Sequence, residues 1–406
     1  MSYLMLLRRS LNRLAPAIVA SACIAHPAAG QTVQDVVDQV SEQMYTYYHD
    51  QLLYTHDGDN RGFGPEHDLA QSNILDTFAG LGLDASLDPF TYDLTTYYNV
   101  VGIHYGLVQP DQVYVIGAHY DSVNNPGADD NASGVAAVME AAHALSQFDF
   151  SDTIVFVAFD REEQRLYGSK AYAVKHQTDD MRAMINLDMI AYNPNNRNRA
   201  VIYGRDFCAP LTAALDTAFT NYALAVDGVN TGEYHGNSDH HYFGTFGIQS
   251  AWLAEYDVWS NPYYHRQSDS SDTPNYIDYP YATDFVRAIV GYVASEAGLL
   301  GDYVLSEPVP GVAGVENTLT VDGATPGEYT YFAYGFTQGQ SSITGCPGVY
   351  LDINAAVVAG QAAADGTGLV TFNAAVPPAA SGRLIWIQAL ETATCRTSNL
   401  IDFLFE

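Results

Sequence analysis

The chain has 406 residues, 48% of them hydrophobic, which is enough for a large core and indicates two domains. Its formal net charge of −31 would repel the phosphate backbone of a nucleic acid, so we expect no nucleic-acid partner. So acidic a chain is typical of a highly soluble secreted protein. It would also suit a salty medium, where screening removes the self-repulsion.

Residues 1–30 have the pattern of a secretory signal peptide. Three arginines precede an apolar run at 14–25, and the small residues Ala28, Ala29 and Gly30 close it. We therefore expect cleavage near Gly30 and a secreted or periplasmic protein. The apolar run is too short to span a bilayer and no later segment is long enough, so we expect no membrane span.

Helices followed by a strand are predicted for residues 31 to about 100. Apolar residues recur at helical intervals over 33–53, and residues 56–68 have the composition of a loop. A short helix ended by glycine is expected at 73–83. Residues 97–106 are predicted to begin the sheet.

From 113 to 256, strand-like runs alternate with helical patterns. The predicted strands are 113–120, 153–160, 183–190, 201–204 and 249–256, and the predicted helices are 131–147, 167–177 and a closing helix at 281–300. The uncharged run up to His119 is typical of a strand covered on both faces. The alternation predicts an α/β fold with a mostly parallel mixed sheet sandwiched by helices. Asn131 and Ser133 are expected to cap the first of these helices.

The composition changes near the stretch SEPVPG at 306–311. Short alternating runs with few basic residues follow, which predicts a small antiparallel β-sandwich. We therefore place a catalytic domain at 31–302 and an accessory domain at 303–406. Cys346 and Cys395 could form a disulfide, whereas Cys208 is expected to be a buried free thiol.

Metal-capable side chains follow several predicted strand ends. They are His119, Asp121 and Asp130 after the first strand, Glu162 and Glu163 after the second, Asp188 near the end of the third, and His265 after the last. Imidazole and carboxylate suit zinc, and a pair of zinc ions requires a bridging carboxylate. Two adjacent glutamates on a turn point in different directions, so one can bind metal while the other acts as general base. Asp121 can accept the imidazole N–H of His119 and fix its orientation.

Six motifs, HYDS, GADDNASG, FDREEQRLYGS, NLDM, NSDHHYF and YYHRQSD, occur in the order seen in secreted di-zinc aminopeptidases. Over residues 31–300 the chain resembles this family of the bacterial leucyl aminopeptidase type, which also includes glutamate carboxypeptidase and the glutaminyl cyclases. The resemblance implies two zinc ions, with His119 and Asp188 on one, Glu163 and His265 on the other, and Asp130 as the bridge. Glu162 would be the general base and Asp121 the residue that orients His119.

Two arginines depart from the family pattern. Arg161 stands where a small or neutral residue is usual, and Arg165 where glycine is common. In the motif NSDHHYF, Ser238 and Asp239 are interpreted as structural, and the two histidines as pocket or surface residues.

The resemblance implies hydrolysis of N-terminal, apolar residues from peptides or proteins by a monomeric enzyme. Three alternatives stay open. A glutaminyl cyclase would use one zinc ion, a carboxypeptidase would share the scaffold, and a binding protein would have lost catalysis. The last is disfavoured because Glu162 and the five expected ligands are intact.

Overall fold

The computed structural model describes residues 31–406, so the expected signal peptide lies outside the described residues. Its α-helices are α1 (Val33–Val37), α2 (Glu42–Tyr47), α3 (Pro65–Gly80), α4 (Gly134–Leu145), α5 (Tyr167–Lys175), α6 (Ala209–Tyr222), α7 (His240–Thr245) and α8 (Tyr279–Glu296). The first eight strands are β1 (Asp84–Tyr92), β2 (Thr95–His104), β3 (Gln109–His119), β4 (Asp152–Phe159), β5 (Asp180–Leu187), β6 (Arg199–Gly204), β7 (Asp227–Asn230) and β8 (Ser250–Glu255).

These eight strands form one mixed sheet in the order β1-β2-β4-β3-β5-β8-β6-β7. Its centre, β4-β3-β5-β8, is parallel throughout. Alternate residues of β3 enter two cores: Ile116 and Ala118 face a large core shared with α4 and α8, and Val115 faces a smaller core shared with α5 and α7. The predicted mostly parallel mixed sheet between helices is confirmed.

The N-terminal prediction needs three corrections. The helical pattern over 33–53 is broken between α1 and α2, where Ser41 caps the second helix. Helix α3 begins at Pro65, inside the predicted loop, because proline is favoured in a first helical turn. Strand β1 was missed because it is a polar edge strand interrupted by Pro89.

Residues 209–245, where no element was predicted, hold α6, β7 and α7. Strand β7 has four residues and none of them is fully buried, so its sequence carries little hydrophobic signal.

The remaining strands are β9 (Val304–Leu305), β10 (Glu316–Asp322), β11 (Tyr329–Gly335), β12 (Gln338–Ser342), β13 (Tyr350–Ile353), β14 (Val357–Ala363), β15 (Val370–Ala375), β16 (Leu384–Glu391), β17 (Arg396–Thr397) and β18 (Ile401–Leu404). They pair antiparallel in the sheets β15-β10-β9 and β14-β11-β16-β17, with β18 also on β16, and in the hairpin β12-β13. The two larger sheets share a core, as expected for a small β-sandwich. The boundary at residues 302 and 303 stays a prediction.

The cysteines behave as the sequence indicated. Cys346 and Cys395 form a disulfide with their Cα atoms 5.5 Å apart, and Cys208 is buried with a free thiol. Within residues 31–406, no helix has both the length and the apolarity that a membrane crossing requires.

Candidate metal centre

The carboxyl ends of the four central parallel strands meet at one edge of the sheet. His119 ends β3, Glu162 and Glu163 follow β4, Asp188 follows β5, and the loop after β8 carries His265. Open α/β sheets bind their ligands at this edge. The fold therefore brings together all five expected metal ligands and the expected general base.

Asp130 lies on a loop that other side chains hold in place. The carboxylate of Asp269 accepts the backbone N–H groups of Asp129 at 2.7 Å and of Asp130 at 3.2 Å. Asn131 donates its amide to the carbonyl of Leu187 at 2.9 Å and accepts the N–H of Gly134 at 2.9 Å. Asn131 thus caps α4 as predicted.

One expectation about this loop was wrong. Ser133 does not cap α4, because its hydroxyl donates to the carbonyl of Asp129 at 2.7 Å. Asp129 itself is fully buried, and its carboxylate accepts hydrogen bonds from Ala191 and Asn261. Burial raises the pKa of Asp129 to about 6.

Asp130 joins two clusters of potential ligands. One oxygen lies 3.3 Å from His119 Nε2 and the other lies 3.2 Å from His265 Nε2. His119 Nε2 is also 3.6 Å from Asp188, and His265 Nε2 is 3.1 Å from Glu163. Zinc bonds of about 2.0–2.1 Å in tetrahedral geometry put neighbouring ligand atoms about 3.3 Å apart. The donor set and its spacing therefore fit zinc in both clusters.

Asp121 holds in place the turn that carries Glu162 and Glu163 and also the imidazole of His119. Its backbone carbonyl lies 3.1 Å from Nδ1 of His119, so that nitrogen donates and Nε2 faces the carboxylates. The two carboxylate oxygens of Asp121 accept the backbone N–H groups of Glu162 at 3.1 Å and of Glu163 at 3.3 Å. One buried aspartate thus orients three of the expected site residues.

The two adjacent glutamates diverge. Potential ligand atoms of Glu162 lie within 4.8 Å of those of His119 and Asp188, whereas Glu163 joins Asp130 and His265 in the same way. This separation is the one that the sequence predicted. The assignment of Glu162 as base rather than ligand stays a prediction.

The protonation of the clusters shows how strongly they favour a cation. Hydrogen bonds that the imidazole donates to Asp130 and Glu163 raise the pKa of His265 to about 10. Burial raises the pKa of Glu163 to about 7, and one of its oxygens is buried without a hydrogen-bond partner. Burial also raises the pKa of Glu162 well above its usual range. Bound zinc would take the place of the imidazole protons and neutralise these carboxylates.

Ser238 and Asp239, which the sequence analysis interpreted as structural residues, also lie at the metal centre. Ser238 donates to one oxygen of Asp188 at 2.5 Å, and Trp252 donates its indole N–H to the Asp188 carbonyl at 3.0 Å. Asp239 is fully buried, neither of its oxygens accepts a hydrogen bond, and burial raises its pKa to about 7. The motif NSDHHYF was the available signal for Ser238 and Asp239.

An aromatic residue, Tyr264, stacks on the predicted ligand His265. Its ring lies 3.8 Å from that of His265 and is half exposed. Tyr263 packs on Tyr276, and Trp259 on Tyr203. The two arginines that depart from the family pattern flank the turn that carries Glu162 and Glu163. Arg161 is buried and Arg165 is exposed.

An α/β sheet with two histidine–carboxylate clusters at its carboxyl edge is an arrangement suited to a metal-dependent enzyme. Residues 99–293 match the family model "Peptidase family M28". This part of the chain is similar to peptidase family M28.

Individual proteins show the same likeness. A probable zinc metalloprotease of Pyrenophora teres f. teres is 37% identical over 155 residues, which are 35% of this chain and 32% of that protein. Aminopeptidase YwaD of Bacillus subtilis is 30% identical over 222 residues, 51% of this chain and 47% of that protein. The chain thus spans about a third to a half of these relatives. The solved aminopeptidase from Aneurinibacillus sp. strain AM-1 shares the fold, with a TM-score of 0.55, 17% identity, and coverage of 66% of this chain and 96% of that one.

Proposed function

We propose that the chain is a secreted zinc aminopeptidase that removes apolar residues from the N-termini of peptides with a pair of zinc ions. The observation that carries the proposal is the position of Asp130, whose two oxygens each lie within 3.3 Å of a different histidine. A carboxylate placed in this way suits a bridge between two ions, whereas a single zinc site would need only one of the two clusters.

The residues of this chain would divide the chemistry as follows. Zinc, when bound, lowers the pKa of water and polarises the scissile carbonyl. Glu162 takes the proton of the attacking water and returns it to the leaving amine. Asp121 holds the backbone of Glu162 and the ring of His119, so base and ligand keep their relative positions.

Tyr264 supports a preference for an apolar first residue. Its half-exposed ring stacks on His265 and offers apolar surface beside one cluster. The Cys346–Cys395 disulfide supports export, because disulfides persist in oxidising compartments.

A panel of blocked peptides tests the polarity of the reaction. A leucine-initiated peptide with an amidated C-terminus should be cleaved, and a peptide of the same sequence with an acetylated N-terminus and a free C-terminus should resist. Cleavage of that acetylated peptide from its C-terminus would indicate a carboxypeptidase. Cyclisation of a glutamine-initiated peptide, with no release of leucine, would indicate a glutaminyl cyclase.

N-terminal sequencing of the exported chain tests secretion. We expect it to begin near Gln31, and a chain that keeps residues 1–30 inside the cell would contradict export.

A further inference from the structure

The C-terminal sandwich contains an open cleft between its two larger sheets. The cleft has a volume of about 640 Å³ and includes Phe332, Tyr334, Phe336, Phe372, Ala374 and Arg383 in its lining. Ligand pockets in proteins typically enclose about 300–1,000 Å³. All five expected metal ligands lie between residues 119 and 265, so this cleft is separate from the metal centre.

The cleft exists because small residues replace large ones at one end of the sandwich. Val370 and Phe372 point into the core from β15, but the next inward residue is Ala374. The following loop adds Ala379 and Ala380 to the lining. The side chains on the inner faces of packed sheets normally interdigitate. The small residues at this end therefore leave room between the sheets for a ligand.

The lining selects against a peptide and for an acyl chain. Most of its lining residues are aliphatic or aromatic, and the side chain of Asn373 already accepts a hydrogen bond from Thr318 at 2.8 Å. A peptide would bring backbone N–H and C=O groups into the cleft, where they would find few partners. A hydrocarbon chain has no such groups.

The basic residues of the sandwich indicate which head group the ligand carries. Residues 303–406 contain two basic residues, Arg383 and Arg396. Arg396 is engaged, since it donates to the carbonyls of Gly301 and Gly323. Arg383 is exposed beside the cleft, and within residues 31–406 its side chain has no ion pair or hydrogen bond to another residue. In so acidic a chain, a free cation beside an apolar cleft is suited to a single anionic group.

We propose that this cleft binds one free long-chain fatty acid, with the chain between the sheets and the carboxylate on Arg383. The full chain would be titrated with palmitate and with hexadecanol by displacement of a fluorescent fatty acid. We expect one saturable palmitate site and weaker binding of hexadecanol.

Three variants test the location of the site. Ala374→Leu fills the cleft and should abolish binding. Ala363→Leu places the same side chain at an exposed position outside the lining and should leave binding intact. Arg383→Gln should weaken palmitate about tenfold and leave hexadecanol unchanged. This variant guards the test against misfolding, because Arg383 is exposed and its side chain makes no hydrogen bond or ion pair within the described part of the chain.

Several outcomes would overturn the proposal. They are the absence of saturable palmitate binding, equal loss in Ala374→Leu and Ala363→Leu, and an unchanged palmitate affinity in Arg383→Gln. Binding only to vesicles of anionic phospholipid would replace the fatty acid with a membrane surface. Displacement of the probe by an apolar peptide, but not by palmitate, would assign the cleft to a peptide.

Discussion

Replacing Gly134 by alanine sets helix propensity against steric exclusion beside the metal centre. Gly134 begins α4 with ordinary helical angles, so by propensity alone alanine would stabilise the helix by about 1 kcal/mol. A Cβ atom there, however, would lie within 3.0 Å of Asn131 Oδ1 and of the Leu187 carbonyl oxygen. The carbonyl belongs to the backbone of β5, and the Asn131 side chain is held by two hydrogen bonds, so neither atom can move away freely.

The steric cost should win. Overpacking costs about 1–3 kcal/mol, and loss of the Asn131 cap adds about 1 kcal/mol. After the gain in propensity is subtracted, Gly134→Ala should lower the free energy of unfolding by about 2 kcal/mol. It should also weaken zinc binding, because Asn131 adjoins Asp130 and Leu187 adjoins Asp188.

Gly80→Ala is the matched control. Gly80 is the last residue of α3, and no atom lies within 4 Å of a Cβ built there. This substitution should stabilise the chain by about 0.5–1 kcal/mol and leave zinc binding unchanged. Urea unfolding and zinc titration of both variants would measure the contrast. If Gly134→Ala proved as stable as Gly80→Ala and bound zinc normally, the tight packing around Asp130 would be refuted.

Three further predictions concern other parts of the chain. The double substitution Cys346→Ser, Cys395→Ser opens a link between residues 49 apart and should cost about 4 kcal/mol in chemical unfolding; an unchanged midpoint would contradict the loop-closure account. Burial raises the pKa of Glu140 to about 8, so the folded state binds the proton of this carboxyl more tightly than the unfolded chain does. The free energy of unfolding should therefore fall as the pH rises from about 4.5 to about 8. Glu140→Gln keeps an acceptor for the Ser41 N–H and should remove several kcal/mol of this fall, whereas parallel pH–stability curves would rule out that origin. The guanidinium of Arg161 lies 4.3 Å from the rings of both Phe63 and Tyr97, next to Glu162. Arg161→Met should therefore lower kcat/KM roughly tenfold at unchanged zinc content. A loss confined to zinc content would assign Arg161 to metal binding instead.

The central strands were predictable because each is a nearly uncharged run with buried residues on both faces. His119, Glu162, Glu163 and Asp188 follow directly from that pattern, since parallel strands end at the same edge of a sheet. Asp130 and His265 were also found after strand ends, but their roles as bridge and ligand depended on the family resemblance, because they lie on loops whose path no local pattern determines.

Other features of the centre depend on tertiary contacts. Asp269 holds the Asp130 loop from 139 residues away, and sequence spacing gives no sign of that pairing. Asp239 lies in a recognised motif, but its burial without partners appears only when α7 packs against the sheet. Strand β1 was missed for the opposite reason, since an exposed edge strand needs no hydrophobic face.

Zinc content measured together with peptidase activity tests the central claim most directly. The mature chain and its Glu162→Gln variant would be purified, their bound zinc counted, and the release of leucine from a leucine-initiated peptide measured. We expect close to two zinc ions in both proteins, with activity only in the unsubstituted chain. One zinc ion per active chain would contradict the two-ion centre bridged by Asp130, and full activity in Glu162→Gln would contradict its role as the general base.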